Sequence, residues 1–240
     1  MTDVKLVLAG RVHREELMDI EEVSNADLAR CLRDLERVNL VSLGYRPTLR
    51  WLDDVAAGKD RISILDVGCG HGDMLRRIKA WGKRRGIETE LLGIDLNPST
   101  IRAAKAATDT KDGIGFEVLD LFDMPADRYP DIIISSLFAH HLDDAGLVRF
   151  VGWMEQTARL GWFINDLHRH PVSAYGLKLI FAIWPVHRFV RYDGPVSVWR
   201  AFSRANLEAV VRAAGVPPGG VKISWWFPFR WGVGRRKADD

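Results

Sequence analysis

The segment Asp66-Val67-Gly68-Cys69-Gly70-His71-Gly72-Asp73 constrains the fold of this chain more than any other. Glycines at alternate positions follow directly on an apolar run over residues 62–67 and lead into an amphipathic stretch over residues 73–85. Glycine adopts positive φ at no steric cost and carries no Cβ, so the pattern predicts a strand, a sharp turn that a ligand can approach closely, and a helix. Dinucleotide-binding turns also sit between a strand and a helix, but with the spacing G-x-G-x-x-G and a pyrophosphate at the helix N-terminus. Here the spacing is D-x-G-x-G-x-G, with Asp66 ahead of the glycines and Asp73 behind them. Acids at those places repel a pyrophosphate. They suit a ligand with a cationic amine, leaving backbone amides for its carboxylate.

The rest of the chain alternates short apolar runs with helical periodicity, which reads as βαβ units feeding a parallel sheet. Strands are expected over residues 62–67, 91–95, 115–119, 131–135 and 161–165. The fourth carries Ile132-Ile133-Ile134, apolar on consecutive residues as in a strand buried on both faces. Helices are expected over residues 73–85, 98–107 and 143–157, and from Ser203 as cap through Ala214, with Gly215 as the stop signal. Ahead of the first strand, Asn25 is the expected cap of a helix carrying Leu28, Leu32, Leu35 and Val38 and ending near Gly44. Pro47 restarts the chain into a short helix through Leu49, Leu52 and Val55. Residues 221–227 and 230–236 read as a closing hairpin around Pro228. The expected fold is α/β: a doubly wound, mostly parallel, Rossmann-like sheet with an antiparallel C-terminal hairpin and N-terminal lid helices. Residues 1–58 form the lid, and residues 59–240 the main domain with a cap inserted at about residues 171–199.

A chain of 240 residues, 47% of them hydrophobic, suits one such domain with a small accessory element. A net charge of only +2 argues against a protein built to coat nucleic acid, and no nucleic-acid partner is expected. Two cysteines, Cys31 and Cys69, provide neither a disulfide framework nor metal-ligand spacing. The apolar run at residues 1–10 is too short for a signal peptide and lacks a basic leader. Residues 175–190 are interrupted by Lys178, Pro185, His187 and Arg188, and a spanning helix needs about 20 mostly apolar residues. A cytoplasmic location is expected; the oligomeric state is left open.

From about Ile62 to Asp166 the chain resembles the class I S-adenosylmethionine-dependent methyltransferases, whose first motif is this acid and glycine series. The resemblance implies that Asp66, Gly68, Cys69, Gly70 and Gly72 hold the methionine part of S-adenosyl-L-methionine. It implies that Asp95, with Leu96 beside it, grips the ribose hydroxyls, about 20 residues past the glycine loop. Asp120 would bond the adenine amino group, and Leu121 would pack on the ring. Past the fourth strand, Ser136-Leu137-Phe138-Ala139-His140-His141-Leu142 resembles the His-His-Leu segment of many small-molecule members, with Ser136 near the cofactor.

Transfer of a methyl group from a sulfonium is largely a matter of aligning an acceptor atom with the methyl carbon. A hydroxyl acceptor benefits from a base, and histidine is the side chain matched to neutral pH. His140 and His141 are therefore candidate bases. Asp166, expected at the end of the fifth strand, is a candidate to orient a histidine or to act as a second base. Their spacing matches no known ligand motif, so no metal is expected. The aromatic and basic residues of the cap, among them Phe181, Trp184, Phe189, Tyr192, Trp199, Lys178, Arg188 and Arg191, leave three readings open: a lid over an apolar acceptor, a surface for peripheral membrane contact, or simple completion of the core. Trp225, Trp226 and Trp231 read as core, and Arg235-Arg236-Lys237 as a solvated run. The expected function is methyl transfer to a small, fairly apolar acceptor at a hydroxyl oxygen. N- or C-methylation and a non-catalytic binding module are the alternatives. A methyltransferase of RNA bases would carry Asn/Asp-Pro-Pro-aromatic where Ser136-Leu137-Phe138-Ala139 stands.

Overall fold

The computed structural model describes residues 8, 10–12, 14–20, 23–217 and 219–237. Most of the apolar run at residues 1–10 lies outside the described residues. One seven-stranded sheet has the order β3-β2-β1-β4-β5-β7-β6. Its strands are β1 (Arg61–Val67), β2 (Glu88–Asp95), β3 (Ile114–Val118), β4 (Ile132–Ser136), β5 (Gly161–Leu167), β6 (Val221–Trp226) and β7 (Arg230–Arg236). The first five pair in parallel; β7 runs antiparallel between β5 and β6 and closes the hairpin.

The helices between the strands are α4 (Asp73–Arg85), α5 (Pro98–Ala107), α6 (Asp144–Thr157) and α9 (Arg204–Ala213). Before the sheet come α1 (Leu17–Ile20), α2 (Asn25–Val41) and α3 (Arg46–Val55), and α7 (Pro171–Ile183) and α8 (Arg188–Arg200) fill the region expected as a cap. Element ends shift from the sequence expectation by one to three residues, as at β2, which begins at Glu88 rather than residue 91. Ser24, rather than Asn25, caps α2, its hydroxyl accepting the Asp27 amide at 3.1 Å. Strand β5 continues two residues past Asn165, because β7 supplies partners as far as Leu167, so Asp166 lies within the strand.

Side-chain alternation on the central strands makes two cores. Ile132 and Ile134 face α3, α4 and α5 with Leu52, Leu75, Ile78 and Ile101, whereas Ile133 faces α6 and α9 with Phe150, Met154 and Leu207. All three isoleucines are fully buried, each contributing about 1.5–3 kcal/mol of hydrophobic stabilisation. A third cluster joins Cys31 of α2 to Phe181 of α7 and to Phe189 and Val190 of α8. The aromatic residues of the 171–199 segment thus divide: Phe181 and Phe189 complete this core, while Tyr175 is 63% exposed. Of the three hairpin tryptophans only Trp231 is buried; Trp225, its register partner, is exposed near the end of the edge strand β6. The basic C-terminal run is partly tied down, with Arg235 Nε 3.3 Å from Glu155 Oε1 and Lys237 Nζ donating to the Ala158 carbonyl at 2.6 Å. Among the described residues, no helix is long and apolar enough to cross a membrane.

Candidate active site

The strand order reverses between β1 and β4, so the loops that follow them diverge and leave a crevice at their carboxyl ends. A cavity of about 230 Å³ lies there, closed on its far side by α2, α7 and α8. The glycine loop forms one wall. Gly68 has φ 68° and Gly70 φ 53°, conformations that L side chains rarely adopt. The amides of Gly68 and Cys69 both donate to the Ile94 carbonyl at 3.0 Å, tying the loop to the end of β2. A Cβ on Gly68 would stand 2.5 Å from the Phe138 ring, whereas a Cβ on Gly70 would meet nothing within 4 Å. Close packing therefore requires glycine at position 68, and at position 70 the bare backbone borders open space.

The same wall carries buried polar atoms without partners. Asp66 is 2% exposed, and neither its Oδ1 nor the Ser136 Oγ has a hydrogen-bond partner. Burial, reinforced by the charges of Asp73 and Asp95, pushes the Asp66 carboxyl well above its ordinary pKa. An acid so placed is served by a ligand that brings a cation or hydrogen-bond donors. These residues fit the amino-acid end of S-adenosylmethionine.

Of the other residues expected at the cofactor, Asp95 accepts the Asn97 amide at 2.9 Å and the Gly70 amide at 3.4 Å. Burial raises its pKa, against the opposing pull of those amides and of His141. Leu96 is 67% exposed. Asp120 Oδ1 accepts the Phe122 amide at 3.0 Å, and Leu121 packs into the core rather than standing free. Gly72, also expected at the ligand, is needed by the fold: a Cβ there would lie 2.6 Å from Phe116.

The opposite wall is a short 3-10 turn, Ala139–His141, after β4. His140 is 2% exposed, and its Nδ1 lies 2.7 Å from Asp166 Oδ1. Asp166 also accepts the His140 amide at 3.1 Å and the Leu167 amide at 2.7 Å. Burial alone would raise the Asp166 pKa, but the charge and hydrogen bonds of His140 and the two amides outweigh it and hold the carboxyl below its ordinary range. An ionised carboxylate only accepts, so Nδ1 is the nitrogen that donates to it, and the neutral ring so held has its lone pair on Nε2. His141 is half-buried, with its ring centroid 4.4 Å from that of His140. His168 and His170 stand apart from this pair: His168 Nδ1 accepts from Trp225 Nε1 at 3.2 Å, and His170 caps α7.

Several residues of the site carry no local sequence signal. Glu16 is buried and lies 3.8 Å from both His140 Nε2 and His141 Nε2, while its Oε1 accepts the Ser197 hydroxyl of α8 at 2.7 Å. Ligand atoms from Glu16, His140 and His141 all lie within 4.8 Å of one another, a donor set that could take a divalent cation. Glu36 of α2 joins the N-terminal helices to the glycine loop, with Oε2 2.8 Å from both His71 Nδ1 and Arg76 Nη2. The Tyr45 hydroxyl donates to Asp73 Oδ2 at 2.6 Å and closes the same side.

Comparison with known proteins places this architecture. Residues 64–161 match the family described as a methyltransferase domain. A ubiquinone biosynthesis O-methyltransferase of Nitrosomonas europaea is 23% identical over 203 residues, covering 79% of this chain and 75% of that protein. One of Bordetella avium is 25% identical, covering 72% of this chain and 70% of that protein. Among solved structures, a plantazolicin methyltransferase in complex with S-adenosylhomocysteine superposes with TM-score 0.63 at 13% identity, over 89% of this chain and 95% of that one. Human N-acetylserotonin methyltransferase in complex with S-adenosylmethionine gives TM-score 0.61 at 14% identity, over 90% of this chain and 57% of that one.

Proposed function

The chain is a class I S-adenosylmethionine-dependent methyltransferase, and on that premise we propose that it methylates a hydroxyl oxygen of a small, fairly apolar molecule. The observation that carries the reading is the buried His140–Asp166 pair, whose Nδ1–Oδ1 distance is 2.7 Å and whose His140 lines one cavity with the glycine loop.

The cofactor supplies an electrophilic methyl carbon on a sulfonium leaving group. Asp66, Gly68, Cys69, Gly70 and Ser136 hold its amino-acid end, and Asp95, at the end of β2, its ribose. Asp120 would bond the adenine amino group with Leu121 packed on the ring, Leu96 stands beside Asp95, and Gly72 shapes the glycine loop. Asp166 holds the His140 ring in the tautomer with a free Nε2. That Nε2 would take the proton of an acceptor hydroxyl placed in the cavity. Removing the proton matters for a hydroxyl, which is a weak nucleophile near neutral pH, so a positioned base contributes about 100- to 10,000-fold. His141 and Glu16 line the path to the base. Apolar side chains of α2, α7 and α8, such as Leu35, Leu177 and Phe181, exclude water and favour an apolar acceptor. Relatives named as O-methyltransferases support oxygen as the atom methylated.

The test is incubation with isotopically labelled methyl donor and a panel of phenols, alkyl alcohols, amines and carbon acids, using wild type and His140→Gln. Label recovered on hydroxyl oxygens, and largely lost in His140→Gln, supports the reading. Label confined to nitrogen or carbon, or oxygen methylation indifferent to His140→Gln, would sink it.

A further inference from the structure

The cavity contains a buried cation that the reaction described above does not use. Arg230, the first residue of β7, is 4% exposed and lines the cavity. Its register partner is Leu167 on β5, and its guanidinium reaches the junction of α2 and α3. There Nη2 donates to Asn39 Oδ1 at 2.9 Å and to Ser42 Oγ at 3.3 Å. Gly44 must be glycine for this approach, because a Cβ there would lie 2.7 Å from Nη2. Among the described residues no carboxylate comes within ion-pair distance of Arg230, and neither Nε nor Nη1 meets an acceptor. Burial pushes its pKa down to about 10, while the charges of Asp166, Tyr45 and Asp73 pull the other way.

A guanidinium this deeply buried is costly unless an anion completes its coordination. A structural role at the carbonyl end of α2 does not account for it. The Asn39 carbonyl there is taken by the Gly44 amide at 2.7 Å, and the Leu40 and Val38 carbonyls by Ser42. Arg230 donates to side chains alone, through Nη2, and leaves the N–H groups of Nε and Nη1 without acceptors. A carboxylate oxygen is the acceptor suited to a charged N–H group in such a site. Asp73, with Asp66 and its unpartnered Oδ1, lines the same cavity, so guanidinium and carboxylates share one space, as recognition of a zwitterion or a carboxylated molecule requires.

We infer that the unpartnered guanidinium N–H groups of Arg230 form a carboxylate-binding site within the cavity, recognising a carboxylate of the bound ligand. The inference rests on the cavity being the methyl-transfer site. Two carboxylates meet the chemistry: that of the donor's amino-acid end and one on the acceptor.

Calorimetry on wild type, Arg230→Lys and Arg230→Gln separates them. The probes are S-adenosylhomocysteine, methylthioadenosine (which lacks the amino-acid end), and 3-hydroxybenzoate against phenol, the latter pair added to the nucleoside-saturated protein. If the donor's carboxylate sits on Arg230, Arg230→Gln weakens S-adenosylhomocysteine about 10- to 100-fold and leaves methylthioadenosine unchanged, the loss expected for one charge-assisted contact. Arg230→Lys recovers part of that loss. If the acceptor's carboxylate sits there, S-adenosylhomocysteine is unaffected and 3-hydroxybenzoate alone is weakened relative to phenol. Equal affinities in wild type and Arg230→Gln for every probe overturn the proposal, as does equal weakening within each pair, which marks a merely disturbed pocket. Wild type that binds neither nucleoside sinks the cofactor reading instead, and the aromatic pair then decides on Arg230. Wild type that binds no probe overturns both.

Discussion

The Asp166 carboxylate holds His140 at two points, the ring through Oδ1 at 2.7 Å from Nδ1 and the backbone through Oδ2 at 3.1 Å from the amide nitrogen. Ring orientation and tautomer are therefore set by one side chain on the neighbouring strand, while the turn that carries His140 hangs from the same group. The Leu167 amide adds a third donor to that carboxylate at 2.7 Å. A carboxylate can accept all three; an amide has one oxygen and would face one of these donors with its own NH₂.

Asp166→Asn should lower kcat about 100- to 1,000-fold, because Nε2 no longer has an assured lone pair. It should also cost about 1–3 kcal/mol of stability through the unsatisfied donor. Affinity for S-adenosylhomocysteine should stay within threefold of wild type. Steady-state kinetics, chemical denaturation and calorimetry read the three effects separately. A comparable loss in the cofactor's affinity would mean that Asp166 shapes the donor site rather than the base.

Asp66→Asn should stabilise the free protein by about 1 kcal/mol at neutral pH while weakening cofactor binding, a trade of stability for function. The sign follows from its raised carboxyl pKa. With the folded value above the ordinary 3.8, the folded state holds the proton more tightly than the unfolded chain. Its contribution is full below 3.8 and is lost as pH rises through the folded value. Melting temperatures measured across that window should fall with pH more steeply in wild type than in Asp66→Asn. Parallel curves would remove the assigned shift.

Gly68→Ala and Gly70→Ala should part company. Both positions have positive φ, which costs alanine about 1 kcal/mol. Only Gly68→Ala also drives a methyl into the Phe138 ring, so it should melt well below Gly70→Ala. Gly70→Ala should fold and yet bind S-adenosylhomocysteine at least tenfold more weakly, its methyl standing where the ligand approaches. Wild-type affinity in Gly70→Ala would show that the backbone there does not meet the cofactor.

Zinc should inhibit methyl transfer reversibly. Glu16, His140 and His141 offer a carboxylate and two imidazoles within 4.8 Å, and a cation there takes the Nε2 lone pair that a base needs. Activity titrated with zinc should fall and return on adding a chelator, and Glu16→Gln should shift the midpoint to higher zinc. Chelator-treated wild type that loses activity and regains it with a divalent cation would replace the base by a metal.

The glycine loop and the parallel strands were legible in the sequence because each rests on local spacing. Alternate glycines between an apolar run and an amphipathic one mean strand, turn and helix wherever they occur, and Ile132, Ile133 and Ile134 declare a strand buried on both faces. His140 and Asp166 were legible as separate candidates by residue type. Their pairing depends on β4 and β5 lying side by side, which brings the end of one strand and the turn after the other together.

What the sequence by itself determined was the alternating architecture and the glycine loop, since both follow from periods of two to four residues along one stretch of chain. Tertiary structure alone decided the opposite wall of the cavity. Glu16 meets Ser197 across 181 positions, and Arg230 meets Asn39 across 191. No periodicity spans such distances, and a glutamate or an arginine in isolation reads as a solvated charge. Only the closing of α1, α2, α8 and β7 over the carboxyl ends of the strands buries these charges, and burial is what turns an ordinary side chain into one that demands a partner.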